Sequence, residues 1–132
     1  MTLAQLRAAF HPDTLTEVGA SGNESCFYVQ SKGHRQFSFM IMNGRVARID
    51  VTRSGVSTAS GIQVGDSEAE TIKTYGSGLK VEPHAYSAPD GHYLTIRSKD
   101  GRYGLRFETY KGKIESFYAG RSDAIQYIEG CD

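Results

Sequence analysis

Tryptophan is absent from this chain, cysteine occurs only twice, and neither sign of charge is in excess, with fifteen basic side chains against fifteen acidic ones. Each scarcity removes a class of explanation. A chain without a cationic surplus cannot neutralise a run of phosphates and release their counterions, so nucleic acid is not an expected partner. The charges are mixed along the chain rather than gathered in blocks, which argues against an electrostatic tail or a polybasic membrane patch. No stretch approaches the roughly 20 apolar residues of a spanning helix, so no membrane span is expected. No serine sits in a Gly-x-Ser-x-Gly elbow, Ser57 and Ser60 belonging to a plain loop, and no cofactor or zinc spacing is present.

What is present describes one globular domain. The 132 residues are 39% hydrophobic and 23% charged, enough to bury a single continuous core and too few for two independent ones. The opening Thr2-Leu3-Ala4-Gln5-Leu6-Arg7 lacks the basic start and apolar run of a signal peptide, so export would require a leader outside these residues.

A repeat organises the chain, with units at residues 2–51 and 61–128 joined by loop 52–60. Thr2-x-x-Gln5 and Ser67-x-x-Glu70 both read as capping boxes opening short helices, the first with Leu3, Leu6 and Phe10 on one stripe, the second with Ala69, Ile72 and Tyr75. His11-Pro12 ends the first helix and Gly76-Ser77-Gly78 the second. The period then changes to two. Phe37 to Ile41 matches Leu105 to Thr109 without gaps, with Phe39 on Phe107; Asn43-Gly44 and Lys111-Gly112 each supply a tight turn; Val46 and Ile49 answer to Ile114 and Phe117. Earlier strands are expected at Cys26–Gln30 and His92–Ile96, another at Leu79–Glu82, and a terminal one at Ile125–Ile128. The expectation is an α+β fold of about eight strands in one continuous antiparallel sheet, with both helices on one face.

Cys26 and Cys131 stand as a closing staple. Bridged, they would enclose roughly 100 residues, for which chain entropy gives about 4 to 5 kcal/mol, and would point to a periplasmic or extracellular compartment. Two buried free thiols in a reducing compartment are the alternative.

Three sets of residues carry possible function. The first is the eight tyrosines. Tyr28, Tyr93, Tyr103, Tyr110 and Tyr118 fall on or beside strands, interleaved with Arg48, Arg97 and Arg106. On a sheet face free of helices they would present aromatic anchors with basic neighbours, although tyrosines also simply suit half-buried strands. The second is the loop cluster His84, Tyr86, Asp90 and His92. His84, Asp90 and His92 could centre a small hydrolase or metal-dependent enzyme, against the ordinary alternative of histidines that lock a loop. The third is Glu82, Glu108 and Asp90, the carboxylates available for paired acid–base work.

Two tandem helix-plus-sheet units resemble the β-lactamase inhibitor protein architecture, and the single unit is similar to the small outer-membrane assembly lipoproteins of the SmpA/OmlA type. In that group a glycine, apolar, x, apolar, glycine phrase introduces the helix, and Gly61-Ile62-Gln63-Val64-Gly65 followed by Asp66-Ser67 has that form; unit one lacks it. From Gly61 to Cys131 the chain also resembles a group of uncharacterised exported bacterial proteins, through Val64-Gly65-Asp66-Ser67-Glu68-Ala69, Pro83-His84-x-Tyr86, Gly91-His92-Tyr93-Leu94, Phe107-Glu108-Thr109 and Glu129-Gly130-Cys131. The resemblance implies export and no activity. The reading is therefore an exported module that binds a protein partner through the open sheet face, as monomer or homodimer, with no cofactor, metal or nucleic acid; the enzyme above and a structural envelope component are the alternatives.

Overall fold

The computed structural model describes residues 1–131, the side chains of 20–22 being left aside. It is α+β. Helix α1 (Leu3–Phe10) leads into β1 (Leu15–Asn23), β2 (Cys26–Ser31), β3 (His34–Met42) and β4 (Arg45–Val51); helix α2 (Glu68–Tyr75) leads into β5 (Lys80–Pro83), β6 (Gly91–Arg97), β7 (Tyr103–Tyr110) and β8 (Lys113–Arg121). All eight strands form one antiparallel sheet in the order β1-β2-β3-β4-β8-β7-β6-β5. No helix among the described residues is long and apolar enough to cross a membrane.

Local chemistry sets both helices. The Thr2 hydroxyl accepts the Gln5 N–H at 3.2 Å while the Gln5 side chain accepts the Thr2 N–H at 2.9 Å, a complete capping box. Ser67 accepts the Glu70 N–H at 3.0 Å, but no return bond from the Glu70 side chain forms. His11 is extended, as its proline neighbour requires, and Gly76 ends α2 at φ 71°, a left-handed conformation that suits glycine.

The inward stripe of α2 differs from the expected one. Glu68, Thr71 and Tyr75 face the sheet, while Ile72 and Ala69 are exposed. Polar contacts decide this. Thr71 is fully buried with its hydroxyl on the Ser67 carbonyl at 2.9 Å, Tyr75 packs 5.6 Å from the Phe107 ring, and Glu68 accepts bonds from Thr109 and His92.

The two units repeat to the level of a single residue. Asn43-Gly44 and Lys111-Gly112 both take two successive positive φ values, the type I′ pattern that a right-twisted hairpin needs. Both returning strands carry a register shift at the same place: Met40 pairs Arg48 and Ile41 pairs Val46, just as Glu108 pairs Ser116 and Thr109 pairs Ile114. Ala47 and Glu115 are the extra residues. The helix caps bridge the same strands, Thr2 to Arg45 and Ser67 to Lys113.

The seam between the units is the β4–β8 pairing, Arg48↔Gly120 through Val51↔Phe117. The correspondence of Ile49 with Phe117 and Val51 with Ala119 leaves Asp50 and Tyr118 as each other's counterpart. That cross-strand pair lies on the pseudo-twofold axis.

Alternation along the strands gives the sheet two unlike faces. The helix side holds the main core: Val29, Phe39, Ile41 and Leu15 against Leu6 of α1, and Leu94, Phe107, Ile114, Phe117 and Val51 beneath α2. The connection between the units is not a bare loop. Ile62 is 3% exposed, and Val56 and Val64 pack beside it over Val51 and Phe117. By the repeat, Val51 corresponds to Ala119 and Phe117 to Ile49, yet Ala119 and Ile49 are exposed. The chain after β8 goes elsewhere.

That segment crosses the opposite face. Ile125–Ile128 is not a strand: Ala124–Gln126 forms a 3-10 turn, and the strap from Ser122 to Cys131 lies across the sheet. Ala124 is buried on Met40 and Ala47, and Ile125 fills the space above Gly104. The eighth strand is instead β1, whose only strongly apolar anchor is Leu15. A disulfide joins Cys131 at the end of the strap to Cys26 in β2, with Cα atoms 5.5 Å apart and a sequence separation of 105.

Candidate binding face

The face opposite the helices carries Tyr28, Arg48, Asp50, Tyr118, Arg106, Glu108, Tyr93, Thr95 and, at the edge, Lys80 and Glu82, by register across β2, β4, β8, β7, β6 and β5. The strap divides it.

Beneath the strap Arg48 is 3% exposed and fully engaged. Its Nε and Nη2 donate to the two Asp50 oxygens, each at 2.8 Å, and Nη2 also reaches the Tyr28 hydroxyl at 3.1 Å. Its Nη1 donates to the carbonyls of Ala124 and Tyr127 at 3.0 and 2.9 Å, and the guanidinium lies 4.0 Å from the Tyr118 ring centroid. An arginine expected at the rim of a binding face is thus the internal clamp that holds the strap. Burial alone would lower the Arg48 pKa, but its bonds to Asp50 raise it. Burial raises the Asp50 carboxyl against the downward pull of Arg48.

The tyrosines separate into two groups. Tyr118 and Tyr93 are 2% and 7% exposed, and Tyr28 is half-buried; burial raises the pKa of all three. The Tyr118 hydroxyl is buried without a hydrogen-bond partner, and the Glu108 carboxylate adds to the upward push on it without meeting hydrogen-bond geometry. Tyr103 and Tyr110 are exposed at the two ends of β7, Tyr110 by alternation on the side of Arg106 and Glu108 and Tyr103 on the helix side. Arg106 is buried, with Nε donating to Thr95 Oγ1 at 2.9 Å and its guanidinium over Tyr93. Arg97 alone of the three arginines is exposed.

The loop cluster is pulled apart by the sheet. His84 lies over the strap face, its ring stacked 4.5 Å from Tyr93 and its Nε2 2.6 Å from Glu108 Oε1. Its Nδ1 accepts the Tyr86 N–H at 3.1 Å, so Nε2 carries the hydrogen and donates to Glu108. Both ring nitrogens are occupied. His92 projects to the helix side, where Nδ1 meets Glu68 Oε1 at 2.8 Å. Asp90 is exposed, and its carbonyl accepts the Lys111 N–H at 2.9 Å. Among the described residues no three metal-ligating side chains converge. Tyr86, 69% exposed, donates to Glu129 of the strap at 2.8 Å, tying the loop to the chain end; this bond raises its pKa.

Two hollows flank the strap. One, of about 260 Å³, is lined by Tyr28, Arg48, Asp50, Glu108, Tyr118 and Glu129. The other, of about 360 Å³, is lined by Lys80, Glu82, Thr95, Arg97, Arg106 and Gln126. Asp50 and Glu129 did not stand out in the sequence. The Arg48-x-Asp50 spacing does put both side chains on one face of a strand, whereas Glu129 reaches the hollow only because the strap returns across the sheet. No protein-family model, curated protein or solved structure matches the chain.

Proposed function

We propose that the protein is an exported binding module for a protein partner, using the uncovered part of the strap face. The observation that carries this reading is the stretch between the strap and β5: a polar hollow with exposed Lys80 and Arg97, closed along the strap by Gln126, after which Tyr127 is 44% exposed. Exposed basic side chains on the sheet, with an exposed aromatic residue on the strap that borders them, fit the anchor-and-rim pattern of recognition surfaces. The Cys26–Cys131 disulfide supports an oxidising compartment, periplasmic or extracellular, in keeping with the resemblance to exported bacterial proteins. A hydrolytic or metal-dependent centre at His84, Asp90 and His92 has no geometry in its favour, since His84 has no free nitrogen and His92 lies across the sheet.

The test is affinity capture from an envelope extract of the source cells, with the protein and with an Arg97→Glu, Tyr127→Ala variant immobilised in parallel. One stoichiometric partner retained by the first and lost by the second supports the reading. Failure to retain any partner on the unaltered protein overturns it in favour of a structural component.

A further inference from the structure

We propose that the hollow under the strap receives a single guanidinium or ammonium group, the side-chain end of an arginine or lysine of the protein partner. The inference rests on the binding reading above and names the chemistry of one contact. Three carboxylates, Asp50, Glu108 and Glu129, line a space of about 260 Å³, the size of one side-chain end rather than of a drug-sized ligand. Among the described residues lining it Arg48 is the one cation, and its donors are committed to Asp50, Tyr28 and the strap carbonyls. His84 spends its one ring N–H on a single Glu108 oxygen, and Tyr86 spends its hydroxyl on a single Glu129 oxygen. One oxygen of Glu108 and one of Glu129 are left to accept from a ligand, while both Asp50 oxygens are taken by Arg48.

An independent observation points the same way. Tyr118 lines the hollow, is 2% exposed, and its hydroxyl is buried without a hydrogen-bond partner. A buried hydroxyl without a partner carries a desolvation cost that a folded chain rarely leaves standing. A cation seated between Glu108 and Glu129 gives the phenol oxygen a donor to accept from, its own O–H being left to the neighbouring Glu108 carboxylate. Next after burial, the Glu108 carboxylate raises the Tyr118 pKa, against the smaller downward pull of Arg48 and Arg106. Planar guanidinium suits several acceptors at once better than ammonium does.

Nuclear magnetic resonance titration of the full chain with N-acetyl-arginine amide tests this, with the citrulline analogue as the uncharged isostere and N-acetyl-lysine amide as the second cation. The expected result is saturable shifts confined to Tyr28, Tyr118, Glu108 and Gly130, roughly tenfold weaker for citrulline. Glu129→Gln, an exposed strap position, and Tyr118→Phe should each weaken arginine binding severalfold while the thermal midpoint holds or, for Tyr118→Phe, rises. Equal binding of citrulline, no saturable shift, or full affinity in both variants overturns the assignment. The arginine amide must also elute the captured partner. A partner that stays bound while arginine occupies the hollow places a free cation there, not a partner side chain, and overturns that source. A partner captured with no arginine binding sinks this site and leaves the binding reading standing.

Discussion

At the scale of single residues, Arg48 is where the molecule concentrates its polar organisation. A guanidinium taken out of water is tolerable only when its donors are met, and Asp50, Tyr28 and two strap carbonyls meet them. Arg48→Met strands the Asp50 carboxylate in a site with 17% side-chain exposure and should cost about 3 to 5 kcal/mol in chemical unfolding. Arg48→Met combined with Asp50→Leu should recover most of that loss, since the costly object is the unpaired charge; a double variant as unstable as the single one would refute the account. The buried phenols give a pH signature. Tyr28 and Tyr118 are raised above the ordinary phenol value of 10.0, burial being the main cause. A group whose folded pKa is raised stabilises the fold fully below its unfolded pKa and ceases to do so as pH rises through the folded one. Stability should therefore hold up to about pH 10 and fall above it. In a spectrophotometric titration, Tyr28 and Tyr118 should ionise above the ordinary phenol range, together with unfolding. Ionisation of Tyr28 and Tyr118 at the ordinary value in the folded protein would contradict their burial.

At the scale of elements, the strap is the part that sequence patterns misrepresent. Ile125-Gln126-Tyr127-Ile128 alternates like a strand, but no free edge meets it: β4 and β8 pair with each other, and the strap is steered over the sheet by the bond from Cys131 to Cys26 and by Arg48. Conversely, β1 is poor in apolar residues because it is an edge strand with one buried anchor, so hydrophobic alternation is faint there. The helix caps, the two hairpin turns and the phenylalanines that follow each helix were legible because they are local signals of three to six residues. The strap face was not, because its contacts join residues 76 and 79 positions apart. Replacing both cysteines by serine should lower stability by up to about 5 kcal/mol on the chain-entropy estimate. Hydrogen exchange should accelerate first at residues 124–130, with β6 and β7 still protected; uniform acceleration across the sheet would show that the strap does not open independently.

At the scale of the whole molecule, the repeat is close enough that its violations carry information. Val51 and Ala119 are counterparts across the axis, but only Val51 is roofed by Ile62 and its neighbours, because the chain leaving β4 stays on the helix side while the chain leaving β8 crosses over. Val51→Ala should cost about 2 kcal/mol and Ala119→Ser less than about 0.5 kcal/mol; equal costs in thermal unfolding would deny the asymmetry. The seam itself is tight. A side chain at Gly120 would run into the Ala47 carbonyl and Arg48 of the neighbouring strand, so Gly120→Ala should weaken both units together, by about 1 to 3 kcal/mol, rather than loosening one. Joining the units through β4 and β8 also removes two edges and leaves only β1 and β5 at the margins. β5 is four residues long, begins with an exposed lysine and ends in a proline with no N–H to offer, and β1 loses register between Val18 and Asn23. These are poor templates for a further strand. Growth of the sheet into fibres or dimers by lateral strand addition is therefore disfavoured at both ends, which leaves the two faces as its broad open surfaces.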